Sequence, residues 1–367
     1  MRRLLAISLA LLLASTPESA LALHTVEKRS SAAALSSPGL LVMDEAESKV
    51  LTENKPDSLR IPASVLKLLT AIVAIKNLGT ETRFTTSVWK MANQDEILLR
   101  GGRDPFLTTS KAIADKYGHK FLPTLITKGN PEQLKKIKIF YEGLYPKDVY
   151  NLSVAMKNRK IRAKFIEVSS SQADEIGKEE IASLTSAPIS KMIEHMTLWS
   201  DNLVADRLAD SAARKAGNST TAKGLTATYK EVLKELGITT EGLKVMDGSG
   251  LSKENQVSAR MIVEALMVIR KDAQFQSIYD GLPIAGKTGT LVKRFEKAPE
   301  AKGNVRAKTG WVNNSVTLAG YVKSGEKEFA FAILADGITP SLKNRNRART
   351  AMDKLLEAIV KGDHEKL

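Results

Sequence analysis

The run Pro62 to Ile75 constrains this chain more than any other stretch. It reads Pro-Ala-Ser-Val-Leu-Lys-Leu-Leu-Thr-Ala-Ile-Val-Ala-Ile. A helix that is apolar on nearly every side has to sit at the centre of a domain, because it has no face to give to water. Pro62 restricts its start, Ala63 and Ser64 open its first turn, and Lys67 follows Ser64 by three residues. That spacing stacks two side chains on one helix face, so a serine and a lysine become neighbours at the mouth of a buried helix.

A serine hydroxyl is a poor nucleophile until a base takes its proton, and an amine can do so when it is neutral. Burial, the positive end of its own helix and a second nearby cation would each lower the Lys67 pKa. Taken alone, Ser64 reads as a helix cap. The same Ser-x-x-Lys spacing recurs at Ser87 to Lys90 and Ser324 to Lys327, so the spacing has little specificity and the rest of the chain must decide.

Residues 1–22 bear on the compartment. Arg2 and Arg3 precede the apolar run Leu4 to Leu13, and Ala20-Leu21-Ala22 has the small-x-small pattern of a signal-peptidase site. The run is too short to span a bilayer. We expect export across a bacterial inner membrane with cleavage after Ala22, an uncleaved amino-terminal anchor being the alternative. There is no cysteine, which excludes disulfides and thiolate metal sites. The four histidines, His24, His119, His195 and His364, are scattered, so a zinc site or a Ser-His-Asp triad has little to build on. Catalysis is expected to use Ser and Lys, with no metal and no cofactor.

The remaining length suits one main domain with an insertion. The formal net charge of +14 is uneven: Lys111 to Lys164 holds 13 Lys or Arg against 4 Asp or Glu. Such a patch favours anionic partners. For an exported chain these are anionic cell-wall polymers or carboxylate-bearing peptidoglycan stems rather than nucleic acid; a merely solvated lysine-rich surface is the alternative.

Gly39 to Val42 and Lys49 to Leu51 read as a hairpin that feeds the Ser64 helix. Strand-like runs follow at Phe84 to Trp89 and Glu96 to Leu99, then the loop Gly101-Gly102-Arg103-Asp104-Pro105. We assign 23–84 and 186–367 to the main domain and 85–185 to a basic accessory insertion. A helix from Pro188 to Trp199 ends in Ser200-Asp201-Asn202, the one such tripeptide in the chain. A serine and an amide held at a junction of two helices can reach a buried site rigidly; an N-cap is the plain alternative. Asp247-Gly248-Ser249-Gly250-Leu251-Ser252 is a tight polar loop. Lys-Thr-Gly occurs twice, at Lys287-Thr288-Gly289 and Lys308-Thr309-Gly310. Only the second leads into the alternating strands Val316 to Val322 and Phe329 to Leu334, which places Lys308 on a three-stranded antiparallel meander. A helix, roughly Leu342 to Val360, closes the chain.

Ser-x-x-Lys on a buried helix, Ser-Asp-Asn, then Lys-Thr-Gly on a strand is the triple shared by penicillin-binding proteins and class A β-lactamases. At these residues the chain resembles the class C low-molecular-mass penicillin-binding proteins, the D-alanyl-D-alanine carboxypeptidase/endopeptidase family. The loop Gly101 to Pro105, the segment Asp247 to Ser252, the stretch Leu282 to Leu291 and Leu318-Ala319-Gly320-Tyr321 extend the likeness. It covers about 39–110 and 186–340, and the middle of the insertion matches poorly.

The resemblance implies an α+β transpeptidase fold: an antiparallel sheet of about five strands built from both chain ends, flanked by helices, beside a helical subdomain carrying Ser200. It implies hydrolysis of D-Ala-D-Ala bonds in peptidoglycan stems, and acylation by β-lactams. In that scheme Ser64 attacks, Lys67 takes its proton, and Ser200 and Asn202 serve the leaving amine and the substrate amide. Lys308, Thr309 and Gly310 face the substrate, Asp201 and Trp311 border it, and the Lys308 cation helps to keep Lys67 neutral. The backbone N–H groups of Ser64 and Trp311 form the oxyanion hole. Trp311 departs from the Ser or Thr usual after Lys-Thr-Gly, which raises the alternative of a wall-binding homologue with impaired turnover. A class A β-lactamase is disfavoured, since no Glu-x-x-x-Asn follows Ser-Asp-Asn.

Overall fold

The computed structural model describes residues 25–362; the expected signal peptide, 1–22, lies outside them. Two five-stranded sheets organise the chain. The first runs in the order Val305–Val312, Ser315–Ser324, Lys327–Ala335, Gly39–Asp44, Val50–Asn54, and every neighbouring pair in it is antiparallel. Strands from both chain ends therefore share one sheet.

Both faces of this sheet are covered, which explains why Ser315–Ser324 is buried almost throughout rather than at alternate positions. Leu41, Ala319, Tyr321, Ala330 and Ala332 point into a core shared with the Lys67–Leu78 helix and the helices around it. Their sequence neighbours Leu40, Val42, Leu318, Val322 and Phe331 point the other way, against the Leu342–Val360 helix. The period of two is what sorts them.

Lys67–Leu78 is buried from Lys67 to Ile75, as its composition demands. The helix Asn202–Lys215 packs on it, with Ile189–Trp199 and Ala222–Glu235 alongside. Every residue of Ile189, Met192, Ile193 and Met196 falls on the core side at helical spacing.

The second sheet runs Arg162–Glu167, Lys136–Glu142, Glu96–Arg100, Thr85–Lys90, Glu179–Thr185. Its first three strands are parallel, joined in part by the helix Pro146–Asn158, and the last two are antiparallel. It has an apolar core of its own that includes Val88, Leu99, Ile139, Leu152 and Met156. One buried ion pair joins this body to the helical region: Arg207 Nη2 meets Asp148 Oδ1 at 2.6 Å, both nearly inaccessible to water. Arg207 also lies over the Tyr145 ring at 4.4 Å, and Tyr145 donates to the Arg207 carbonyl.

Candidate active site

Ser64 does not cap an α-helix. A 3-10 turn, Ala63–Leu66, precedes Lys67–Leu78, and Ser64 stands within that turn. Ala63 has a φ of 46°, a left-handed conformation that costs a residue with a Cβ on the order of 1 kcal/mol. Two glycines hold this turn by close approach. At Gly250, with φ +82°, a Cβ would stand 1.9 Å from the Ala63 carbonyl oxygen; at Gly310 it would stand 2.9 Å from the Ser64 nitrogen. Thr317 and Ser315 anchor the turn from the sheet by donating to the carbonyls of Pro62 and Ile61.

Lys67 Nζ lies 2.9 Å from Ser64 Oγ, 2.8 Å from Asn202 Oδ1 and 2.6 Å from the Ser249 carbonyl oxygen. Two of these partners can only accept. A neutral amine has two hydrogens and one lone pair, so donation to Asn202 and Ser249 leaves the lone pair for the Ser64 hydroxyl. Burial pushes the Lys67 amine down to about 8, against the pull of Asp206, Asp247 and Asp201. Its own charge state is thus within reach of neutral pH.

Lys308 is fully buried on its strand. Its Nζ lies 2.8 Å from Ser200 Oγ and 2.8 Å from the Thr309 carbonyl oxygen. Burial first, and the Lys67 charge second, hold it well below the usual lysine range. Lys67 has the Asp206, Asp247 and Asp201 carboxylates near it, whereas the influences on Lys308 are its burial and the Lys67 charge, and the two cations repel.

Ser200 takes the left-handed conformation, φ 61°, where the Ile189–Trp199 helix ends, and Asn202 begins the next helix. Asp201 stands between these two residues in the chain. Its Oδ1 accepts from the Val204 N–H at 3.0 Å, as an N-cap, and its Oδ2 lies 3.3 Å from His195 Nε2. Both Asp201 side-chain oxygens thus have partners within the protein. Trp311 is 48% exposed and lies under the Arg345 guanidinium, 4.3 Å away. Its backbone N–H is the useful group: the Ala307 N–H donates outward from this strand, to Pro283, and the two-residue period turns the Trp311 N–H to the same edge.

Sequence reasoning missed four contributors. The Ser249 carbonyl touches Lys67, but a backbone group leaves no residue-type signature. Asp247 shapes that loop by accepting from the N–H groups of Gly250 at 2.6 Å and Ser252 at 2.7 Å. Asp206 lies beside Lys67 and Asp247, and burial, then the Asp247 charge, push its carboxyl up to about 6. It stands four residues beyond Asn202, one helical turn, which was the available signal. Thr290 ends the first Lys-Thr-Gly copy, and its Oγ1 lies 2.9 Å from Thr309 Oγ1. A cavity of about 640 Å³ adjoins these two threonines, lined also by Arg294, Asn346, Arg349 and Asp353. Lys287 of the first copy is exposed. The scattered histidines are not all scattered in space: His119 and His195 come together beside Asp201.

With this geometry in place, the relatives can be compared. The D-Ala-D-Ala carboxypeptidase 3 (S13) family model matches residues 23–140 and 147–359. The chain belongs to this family. Within S13, it is 26% identical over 350 residues to the carboxypeptidase DacB of Mycolicibacterium smegmatis, covering 81% of this chain and 75% of that one. Penicillin-binding protein 4 of Haemophilus influenzae superposes with a TM-score of 0.71 at 16% identity, covering 89% of this chain and 96% of that one. A penicillin-G-acylated predatory endopeptidase of Bdellovibrio bacteriovorus gives 0.62 at 20% identity over 90% and 92%. The S13 chain thus has the penicillin-binding α+β fold. No helix among the described residues is long and apolar enough to cross a membrane.

Proposed function

We propose that this chain is a serine-type hydrolase of D-Ala-D-Ala bonds in peptidoglycan stem peptides, working through an acyl-enzyme on Ser64. The observation that carries the reading is Lys67, buried, with two obligate acceptors on one side and Ser64 Oγ 2.9 Å away on the other. Ser64 Oγ attacks the carbonyl of the penultimate D-Ala while its proton passes to Lys67 Nζ. The oxyanion forms against the N–H groups of Ser64 and Trp311, each worth about 3 kcal/mol in comparable sites. Collapse breaks the peptide bond, and the leaving amine takes a proton by way of Ser200, which Lys308 holds in line. Water then attacks the ester and frees Ser64.

A substrate carboxylate arriving beside Thr309 would favour the charged form of Lys308, against the burial and the Lys67 charge that oppose it. Thr290 supplies a second hydroxyl where Trp311 has none. The same nucleophile would accept penicillins and release them slowly. The exposed lysines of 85–185, among them Lys135, Lys136, Lys157 and Lys160, suit an accessory unit that holds anionic wall polymer. Export, to the periplasm or wall space, fits this substrate.

The deciding experiment is labelling of the purified protein by a fluorescent penicillin, repeated on Ser64→Ala. Label on the wild type and none on the variant, with unchanged circular dichroism, supports the reading. Equal label on both removes Ser64 as the nucleophile.

A further inference from the structure

The cluster of His119, His195 and Asp201 lies outside the acylation scheme. One donor atom from each falls within 4.8 Å of the other two. His119 comes from the segment between the two sheets' first strands and the Ser200 region, His195 from the helix Ile189–Trp199, and Asp201 from the junction that follows it. Asp201 is fixed in direction, since Oδ1 is bound by the Val204 N–H while Oδ2 looks toward His195.

His119 supplies the second observation. It is 8% exposed, and its Nε2 has no hydrogen-bond partner. A buried imidazole nitrogen left unpaired costs free energy, yet nothing in the packing relieves it. The rings are held in place: Phe106 stacks on His119 at 4.3 Å, and Tyr117 sets its edge to His195 at 5.0 Å and leans on Trp199 at 5.9 Å. Two imidazoles oriented by aromatic walls and one oriented carboxylate form the donor set of a borderline divalent cation. Oxygen-seeking Mg²⁺ or Ca²⁺ would not choose two nitrogens.

We propose that His119, His195 and Asp201 bind one divalent cation of the zinc class, which ties the inserted segment to the Ser200–Asn202 junction. Tetrahedral coordination at 2.0–2.2 Å needs donors roughly 3.3 Å apart, so the widest pair closes by up to about 1.5 Å from a spread within 4.8 Å, within the reach of side-chain rotation. A fourth position remains for water. The ion binds no reacting atom. It restrains Asp201, and through it Ser200 and Asn202 on either side, so its effect on peptide turnover would be a positioning effect.

The test uses the untagged mature protein, stripped with chelator, with Zn²⁺ as the probe in a titration against a chromophoric competitor. One Zn²⁺ per chain is expected, with a rise in melting temperature. His119→Gln and His195→Gln should each weaken binding by about a hundredfold or more, a scale that even outer partners of a bound metal approach. Co²⁺ should give a visible absorption band in the wild type that His119→Gln lacks. Either variant is read only with wild-type circular dichroism, and the two serve as checks on each other. Absence of stoichiometric Zn²⁺ binding by the wild type overturns the proposal, as does unchanged affinity in a folded variant, which would put the ion elsewhere. Binding is read directly, so failure here leaves penicillin labelling of Ser64 untouched.

Discussion

Thr290 and Thr309 bring their hydroxyl oxygens within 2.9 Å, so the two Lys-Thr-Gly copies, read in the sequence as rivals, meet at one point. Lys287 of the first copy stays exposed while Lys308 of the second is fully buried against Ser200. The first copy contributes its last threonine and the second its lysine. Thr290→Val should therefore raise KM for a D-Ala-D-Ala peptide about fivefold, the worth of one net hydrogen bond near 1 kcal/mol, with little change in penicillin acylation at saturation. An unchanged KM would show that Thr290 only buttresses Thr309.

Lys308→Ala should lower the acylation rate by about a hundredfold, the scale of losing one positioned polar contact to the reacting substrate. Lys287→Ala should cost less than about threefold, or about 0.6 kcal/mol. Stopped-flow acylation by a chromogenic β-lactam ranks the two, and the opposite order would move the reacting edge to Lys287.

The charge state of Lys67 sets a pH profile. Burial holds the amine at about 8, and the base must be neutral, so acylation should climb with pH by about tenfold per unit below that value and level off above it. Lys67→Ala should be silent across the whole range. A rate that is flat from pH 5 to about 9 would mean that another group takes the Ser64 proton.

Gly250→Ala would set a methyl carbon 1.9 Å from the Ala63 carbonyl at a φ of +82°. Backbone strain and overpacking act together, and about 2 kcal/mol of stability should be lost. Urea midpoints should fall at an unchanged slope. Because the displaced atom belongs to the residue before Ser64, acylation should slow as well; a variant as stable as the wild type would show that the loop and the turn part freely.

The lysine-rich face should act through long-range charge. Reversing Lys135, Lys136, Lys157 and Lys160 together should weaken retention on isolated cell walls at low salt, with the difference closing as added salt shortens the Debye length. Turnover of a short soluble peptide should hardly move. Lys138 is left out because it already pairs with Glu96 at 2.7 Å.

What could be read in advance depended on the range of the interaction. The unbroken apolar run marked the buried Lys67–Leu78 helix, and the closing helix Leu342–Val360 lies where it was roughly expected. Structural context also separated Ser64 from its decoys. Ser87 and Lys90 share a strand, where residues three apart point to opposite faces; Ser87 is buried and Lys90 reaches out to Glu179. The contribution of Ser249 was hidden because it comes from a carbonyl, and that of Asp206 because a carboxylate on an amphipathic helix looks like ordinary surface. Thr290 follows a Lys-Thr-Gly copy whose lysine is exposed, and only its contact with Thr309 marks it. His119 and His195 are far apart in sequence, and only the packing of the second sheet's body against the helical region makes them neighbours. Ala63, an ordinary residue by type, gave no hint of its left-handed backbone.

The Arg207–Asp148 pair has a consequence for anyone who would trim this protein to a minimal peptidase. Excising the chain between Thr85 and Thr185 removes Asp148, the Tyr145 ring and the carbonyls of Asp104, Pro105 and Leu107 together, and so uncovers the Arg207 guanidinium. Removing Asp148 alone from the intact chain would instead strand a buried charge at a cost of about 3 to 5 kcal/mol, a large share of what holds a domain together. A shortened chain could keep Arg207, since the residues that bury its guanidinium leave with the insertion. The two halves are thus spliced rather than appended, and the charge at their boundary is dry only while both are present.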